Sequence, residues 1–374
     1  MIDYKGQMKM SFSIGPFEDF IAEEQMSQLK MVEGTGNIMP AIEIKFKTKE
    51  SGLLAYLNET NTLKVQLGVK EIKYDLEFKI KNKHIDMKSK GDYDITLRAL
   101  MNNHSYSLVP QRRTFGNATS DGRDISGLEV ILCVANENFS RIETNITKSD
   151  DYMLRIQPGI SNKQFVDEVW ETLYTPDTFV AMGITSSGKF KLADIKALSA
   201  TNPKWKFTYK PSEAKDITPE QNMIDDNSGV NNYLFGYIRQ REFYDEDNGE
   251  SFVSTTGNTT YLSMSDHFGR DDVWMLNTQM ARNDNMYNEY WEARDTNLSN
   301  LALFSSINNQ FCFSPDWHDI EILDLVYIES IDLNENPEEA YSGLAIVSGV
   351  SRIYANKKIT TYVSLNREGF NQTK

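Results

Sequence analysis

Five apolar residues, Ile72, Tyr74, Leu76, Phe78 and Ile80, alternate with Lys, Asp, Glu and Lys. A period of two puts every apolar side chain on one face of an extended strand and leaves the other face wet. Such a strand is stable only beside others in an antiparallel sheet with one buried side. Candidate neighbours are close by. Ile42, Ile44 and Phe46 alternate in AIEIKFKT, and Leu63, Val65, Leu67 and Val69 do so just before the long run. YDITLRAL (93–100) continues the style after a Lys-Gly-Asp turn. The first hundred or so residues are therefore expected to be antiparallel β-structure.

The pattern then changes. SYSLVPQRRTFGNATSDGRDISG (105–127) is rich in turn formers and reads as a long loop or domain junction, and LEVILCVA after it as a buried strand. Ser161-Asn-Lys-Gln164 has capping-box spacing, and Phe165, Val166, Val169, Trp170 and Leu173 fall on one face of the helix it would start. Pro176 ends that helix. FVAMGI and KFKL flank Thr-Ser-Ser-Gly188, which predicts a hairpin. After Pro203, Pro211 and Pro219 the strands return, with YLFGYIRQREFY and ESFVSTT on either side of the acidic turn DEDNG (245–249). A second helix is expected over about 285–303, with Tyr287, Trp291, Arg294, Leu298 and Leu301 in one stripe. IEILDLVYIESI, SGLAIVSGVSRIY and KKITTYVSLNREGF close the chain as strands, with a polar loop at 334–339. At 374 residues the chain exceeds one ordinary core and should divide into two to four compact units.

The residues that carry chemistry are sparse. His84, His104, His267 and His318 have no His or Cys partner at ligand spacing, so a zinc site has no sequence support. No Gly-x-Ser-x-Gly elbow is present. GITSSGKF (183–190) matches Gly-x4-Gly-Lys, but Phe190 stands where a phosphate loop needs a Mg²⁺-binding hydroxyl, and its flanks alternate like strands. It reads as a hairpin tip that binds no nucleotide. The 245–249 segment has its glycine one position too early for a calcium loop. Cys133 and Cys312 each lie in an apolar run and read as buried free thiols. No catalytic, cofactor-binding or metal-ligating residue is singled out, and a non-enzymatic protein is expected.

Charge is divided unevenly. Residues 1–210 hold 28 basic and 27 acidic residues, a balance of +1, whereas residues 211–374 hold 11 basic and 27 acidic, a balance of −16, so the second part carries the whole excess behind the net charge of −15. This composition argues against gripping nucleic acid, which requires clustered Lys and Arg on phosphates. It suits a solvated acidic surface or a wall that repels a polyanion. No stretch approaches the roughly 20 apolar residues of a membrane helix, and the N-terminus lacks a signal-peptide core, so no stable membrane insertion is expected.

The order of elements carries a resemblance. The capped helix Ser161–Tyr174 leads into the hairpin FVAMGITSSGKFKLADI. A Tyr/Trp helix then runs into Pro315-Asp-Trp317, followed by ILDLVYIESI, Ser342-Gly343, Thr360-Thr361 and Arg367-Glu-Gly369. This resembles the trimeric baseplate hub of large contractile-tailed phages and the matching N-terminal part of type VI secretion spike proteins. Trp317-His-Asp-Ile stands where that family has Pro-Gly-Asp. The resemblance implies a β-rich α+β fold with two tube-like antiparallel β-barrel domains and mixed α/β inserted domains. Its boundaries would be a first barrel at 1–105, a mixed α/β domain at 106–215, and a second barrel at 216–374 with an inserted segment at about 236–300. It further implies a homotrimer that contacts the tail tube protein, the central spike protein, other baseplate proteins and the tape measure protein. DNA would pass through without specific binding, in a virion tail baseplate assembled in the host cytoplasm. Two other readings stand beside it: a virion-surface receptor- or carbohydrate-binding β-protein, for which the abundant Tyr, Asn and Trp suit sugar stacking, and a hydrolase with an unmarked site.

Overall fold

The structure is a computed structural model. It describes residues 2–4, 8–22, 24–69, 72–88, 91–116, 125–173, 180–208, 216–227, 237–245, 250–256, 270–275, 301, 304–313, 319–331, 338, 341–356 and 358–367, with only the backbone at 2–4, 8, 69, 72–73, 216–217 and over the strands within 237–275. The N-terminal part holds β1 (Ile2–Tyr4), β2 (Met8–Ile14), β3 (Met26–Gly34), β4 (Ala41–Thr48), β5 (Thr62–Val69), β6 (Ile72–Met87) and β7 (Tyr93–Met101). Their order across the sheet is β1-β2-β5-β6-β7-β4-β3, and every pair is antiparallel. The alternation works as expected: Leu76, Phe78 and Ile80 of β6 are buried, as are Ile42, Ile44 and Phe46 of β4. Phe12 of β2 and Leu29 of β3, far apart along the sheet, lie in the same hydrophobic core. The sheet therefore rolls its apolar face around one interior.

The middle part corrects two expectations. Within the expected loop or junction at 105–127, α1 (His104–Ser107) and β8 (Pro110–Phe115) occupy the first part, and 117–124 lie outside the described residues. LEVILCVA is not a strand but the body of α2 (Gly127–Asn138). The reason lies at its start. The Ser126 hydroxyl accepts from the Glu129 amide at 3.3 Å, and Glu129 accepts from the Ser126 amide at 3.0 Å. Asp151 and Ser149 take the Gly127 and Leu128 amides at 3.1 Å each, so the free N–H groups of the first turn are satisfied. As a helix, the run buries Leu128, Val130, Ile131, Val134 and Ala135 but turns Cys133 outward beside Glu137, against the expectation of a buried thiol. Cys312 is buried as expected.

After β9 (Arg141–Thr144) and β10 (Arg155–Ser161) comes α3 (Asn162–Glu171), with the predicted Ser161–Gln164 capping box in place. The predicted hairpin follows as β11 (Val180–Ile184) and β12 (Lys189–Asp194), then α4 (Ile195–Ser199). Strand β9 extends the hairpin sheet in parallel with β12, while β8 and β10 pair separately. Helices α2 and α3 share one core with the buried side of the hairpin.

The remaining strands are β13 (Trp205–Thr208), β14 (Asp216–Ile217), β15 (Gln221–Asp226), β16 (Tyr237–Asp245), β17 (Glu250–Thr256), β18 (Arg270–Met275), β19 (Ile307–Phe313), β20 (Leu325–Glu329), β21 (Gly343–Ala355) and β22 (Lys358–Arg367). β16 and β17 pair antiparallel across the acidic turn, as expected. In IEILDLVYIESI only the second half is strand. The helix expected over 285–303, apart from Leu301, lies outside the described residues, as do Pro176, 246–249 and most of 334–339. β21 bonds β22 along one edge; along the other it bonds β20 with its first half and β3 with its second. One 14-stranded sheet thus runs from the N-terminal strands into the C-terminal ones, which have their own core around Phe207, Phe311, Phe313 and Val363.

The cap at Ser126 yields a test. Ser126→Ala should lower the unfolding free energy in chemical denaturation by about 1 kcal/mol, as removal of an N-cap does, with the slope unchanged.

Candidate functional site

Polar chemistry concentrates where the hairpin tip meets both β parts. The tip is a tight turn: the Gly188 amide bonds the Thr185 carbonyl at 2.9 Å, and Gly188 has a φ of +79°, which a side chain resists. Gly183 needs its small size for another reason. A Cβ there would stand 2.4 Å from Cδ1 of Ile322, so a side chain at this position would force Ile322 to move from the hairpin. The hairpin is stitched on its other side to the segment after β3, where Gly36 donates to the Met182 carbonyl at 2.7 Å and Thr35 bridges Gly183.

Charges fill the seam. Lys191 is 3% exposed, and its ammonium lies 3.0 Å from Asp324, 3.1 Å from Glu321 and 3.6 Å from Glu143. Lys189 bonds Glu321 at 2.7 Å, and the Ser187 hydroxyl reaches the same carboxylate at 3.0 Å. Asp324 also accepts from Lys204 at 2.9 Å and from the Trp205 indole at 3.1 Å. On the far side the Ser186 amide donates to buried Glu33 of β3. Glu33 sits 3.8 Å from Arg352 of β21, whose guanidinium donates to the Ile320 carbonyl at 2.5 Å. Three distant segments of the chain therefore meet through ion pairs.

A turn presents the two carboxylates. The Asp324 amide bonds the Glu321 carbonyl at 3.2 Å, and Leu323 takes a φ of +61°, a conformation that normally calls for glycine. Leu323 tolerates it because its side chain is buried with Ala181, Ile195, Phe304 and Ile346. Trp317 and His318, the first two residues of the expected Trp317-His-Asp-Ile turn, lie outside the described residues.

Burial alone would raise the Glu321 carboxyl, but the Lys191 charge and hydrogen bonds from Lys189 and Lys191 outweigh it and bring its pKa to about 2. Burial likewise opposes the charge on Lys191, yet Asp324 and Glu321 hold its pKa above the usual lysine value. Lys189, the lysine of the phosphate-loop look-alike, is thus committed to carboxylates of its own chain. His84 on β6 and His104 on α1 belong to different elements, and His267 lies outside the described residues. Among the described residues, no three His, Cys, Asp or Glu side chains converge to hold a metal, and no helix is long and apolar enough to cross a membrane.

Sequence reading identified the tip as a hairpin but not as the centre of a charged seam. Lys191 lies more than a hundred positions from Glu321 and Asp324, and no local pattern links them.

Comparison with solved structures finds this architecture elsewhere. The chain superposes on the 43 kDa tail protein of prophage MuSo2 from Shewanella oneidensis with a TM-score of 0.61 at 8% identity, covering 96% of this chain and 98% of that one. A tail protein from Neisseria meningitidis gives 0.58 at 10% identity, covering 97% of each chain. The chain has the fold of phage tail proteins. A chain of the Francisella PdpA–VgrG complex gives 0.51 at 9% identity, covering 98% of this chain and 54% of that one. No protein-family model matches the sequence, and no curated protein matches it either.

Two outcomes follow from the seam. Gly183→Ala should destabilise the fold by about 1–3 kcal/mol through overpacking, and Ile322→Val, which removes the clashing methyl, should recover most of the loss in a double-mutant cycle. The second concerns acid. The Glu321 pKa falls from 4.5 to about 2 on folding, so its stabilisation is complete above about pH 4.5 and lost as pH drops towards 2. Unfolding free energy measured across that window should fall more steeply in the parent chain than in Glu321→Gln, by up to roughly 3 kcal/mol.

Proposed function

We propose that this chain is the structural hub of a phage tail baseplate, joining a hexameric tail tube to a trimeric central spike and forming part of the DNA ejection channel. The observation that carries the reading is the end-to-end likeness in fold to two tail proteins, over 96–97% of this chain and 97–98% of theirs. In this scheme residues 1–105 and 216–374 act as two tube-like β barrels, with the mixed unit 106–215 between them. The two separate β cores, one around Phe12 and Phe78 and one around Phe311 and Val363, suit such a division.

Three chains then present six tube-like units, which lets a threefold assembly meet a sixfold tube on one side and a threefold spike on the other. A ring also removes open sheet edges, which in a lone chain invite uncontrolled pairing. The charged seam serves the scheme by fixing the angle between the two β parts. The role is mechanical and non-enzymatic, with the tube protein, the spike, other baseplate proteins and the tape measure protein as partners in the virion tail. The acidic residues of 211–374 line the channel and repel DNA, because a wall of Lys and Arg would bind phosphates and hold the genome back.

Light scattering and electron-microscopic class averages of the purified chain test the assembly. The expected particle is a homotrimer with three true and six approximate repeats around its axis. A monomer that does not associate, or a twofold dimer, would sink the proposal.

A further inference from the structure

The outer face of the N-terminal sheet carries two rows of side chains that cross three strands. Val32 of β3 pairs with Ala41 of β4, and Ala41 pairs with Leu100 of β7. One same-face step along the strands, Lys30 pairs with Glu43, and Glu43 pairs with Arg98. Together with Lys81 of β6 the rows enclose a half-open hollow of about 300 Å³. Its apolar floor is open to water, with Val32 37% and Leu100 36% exposed. Its rim has three cations and one carboxylate, and that carboxylate is engaged by Arg98 at 2.7 Å and Lys45 at 3.2 Å. The hollow therefore fits an aliphatic side chain with a carboxylate beside it.

Such a feature exists on the same molecule. Strand β15 reads Gln221-Asn-Met-Ile-Asp-Asp226, and all six residues are exposed. Its pairing is with β19, in a continuous antiparallel register, which fixes it as an extended strand. Met223 is 54% exposed, and Asp225 lies on the same face two residues on. That step spans roughly 6.7 Å along a strand, the same step that separates the Val32–Ala41–Leu100 row from the Lys30–Glu43–Arg98 row.

We infer that β15 of one copy docks on the outer sheet face of a second copy, with Met223 over Val32, Ala41 and Leu100 and Asp225 beside Lys30. The occupant is a second copy of this chain because the charge division favours it: the acid excess lies in 211–374 and the cationic hollow in the balanced part. Two different surfaces meet, so the contact is head-to-tail, the type that closes into a ring when the rotation permits. The inference rests on the homotrimer reading above and supplies its interface.

The test uses the full chain and solvent-exposed substitutions, with the thermal midpoint confirming that each variant folds. Sedimentation equilibrium should show that Lys30→Glu and Asp225→Lys each weaken self-association by about tenfold or more, and that the two together restore it to within about threefold of the parent. In a Cys133→Ser background, Val32→Cys with Met223→Cys should give a disulfide-linked ladder under oxidation, while either cysteine alone gives none. A parent chain that associates normally while both reversals leave it unchanged and no ladder forms would overturn this interface and leave the trimer standing. A parent chain that stays monomeric would overturn both.

Discussion

Lys191 carries its ammonium into a seam where water scarcely reaches, and a bare charge there would cost several kcal/mol. The rest of the architecture is arranged so that it is never bare. The hairpin must turn at Gly188 to bring Lys189 alongside it, and the bare Cα of Gly183 leaves the space that the tip of Ile322 fills. The chain at Leu323 must adopt a left-handed backbone to aim Glu321 and Asp324 at the lysines. Each of these features is unfavourable alone and makes sense only as part of the set. Replacing the cluster with apolar residues of like volume can be neutral or stabilising in other proteins, so its value here is orientation. Ion pairs tolerate few alternative geometries, whereas a greasy seam can slide.

How far the sequence discloses this depends on range. Alternation is local, and Ile72–Ile80 identifies a half-buried strand without help from the rest of the chain. The Ser161 cap is equally local and reads correctly. The Ser126 cap has the same spacing, yet the unbroken apolar run LEVILCV masks it, because such a run suits a buried strand or a buried helix. What decides is a serine and an aspartate, Ser149 and Asp151, that return to the helix start from more than twenty residues away. The candidate site is less legible still. The tip GITSSGK advertises a hairpin, but its partners lie on β3 and in the turn before β20, and sequence spacing carries no trace of that meeting.

The turn at Leu323 is a second feature that spacing does not announce. A positive φ normally calls for glycine, and here a buried leucine holds it at the cost of some strain.

The pairing of β3 with the second half of β21 has a kinetic side. During synthesis β3 can find β4 at once, but its other edge must wait until Gly349–Ala355 has left the ribosome. Contacts between segments so distant in sequence are slow to form, because the entropy of closing the intervening loop must be met before they reward it. Until then the nascent chain displays an open strand edge, the sort of surface on which chaperones act and aggregation starts. Completion of this edge therefore reports that synthesis has passed Ala355, and a truncated product ending before β21 would be left with an exposed edge by which a cell could recognise and discard it.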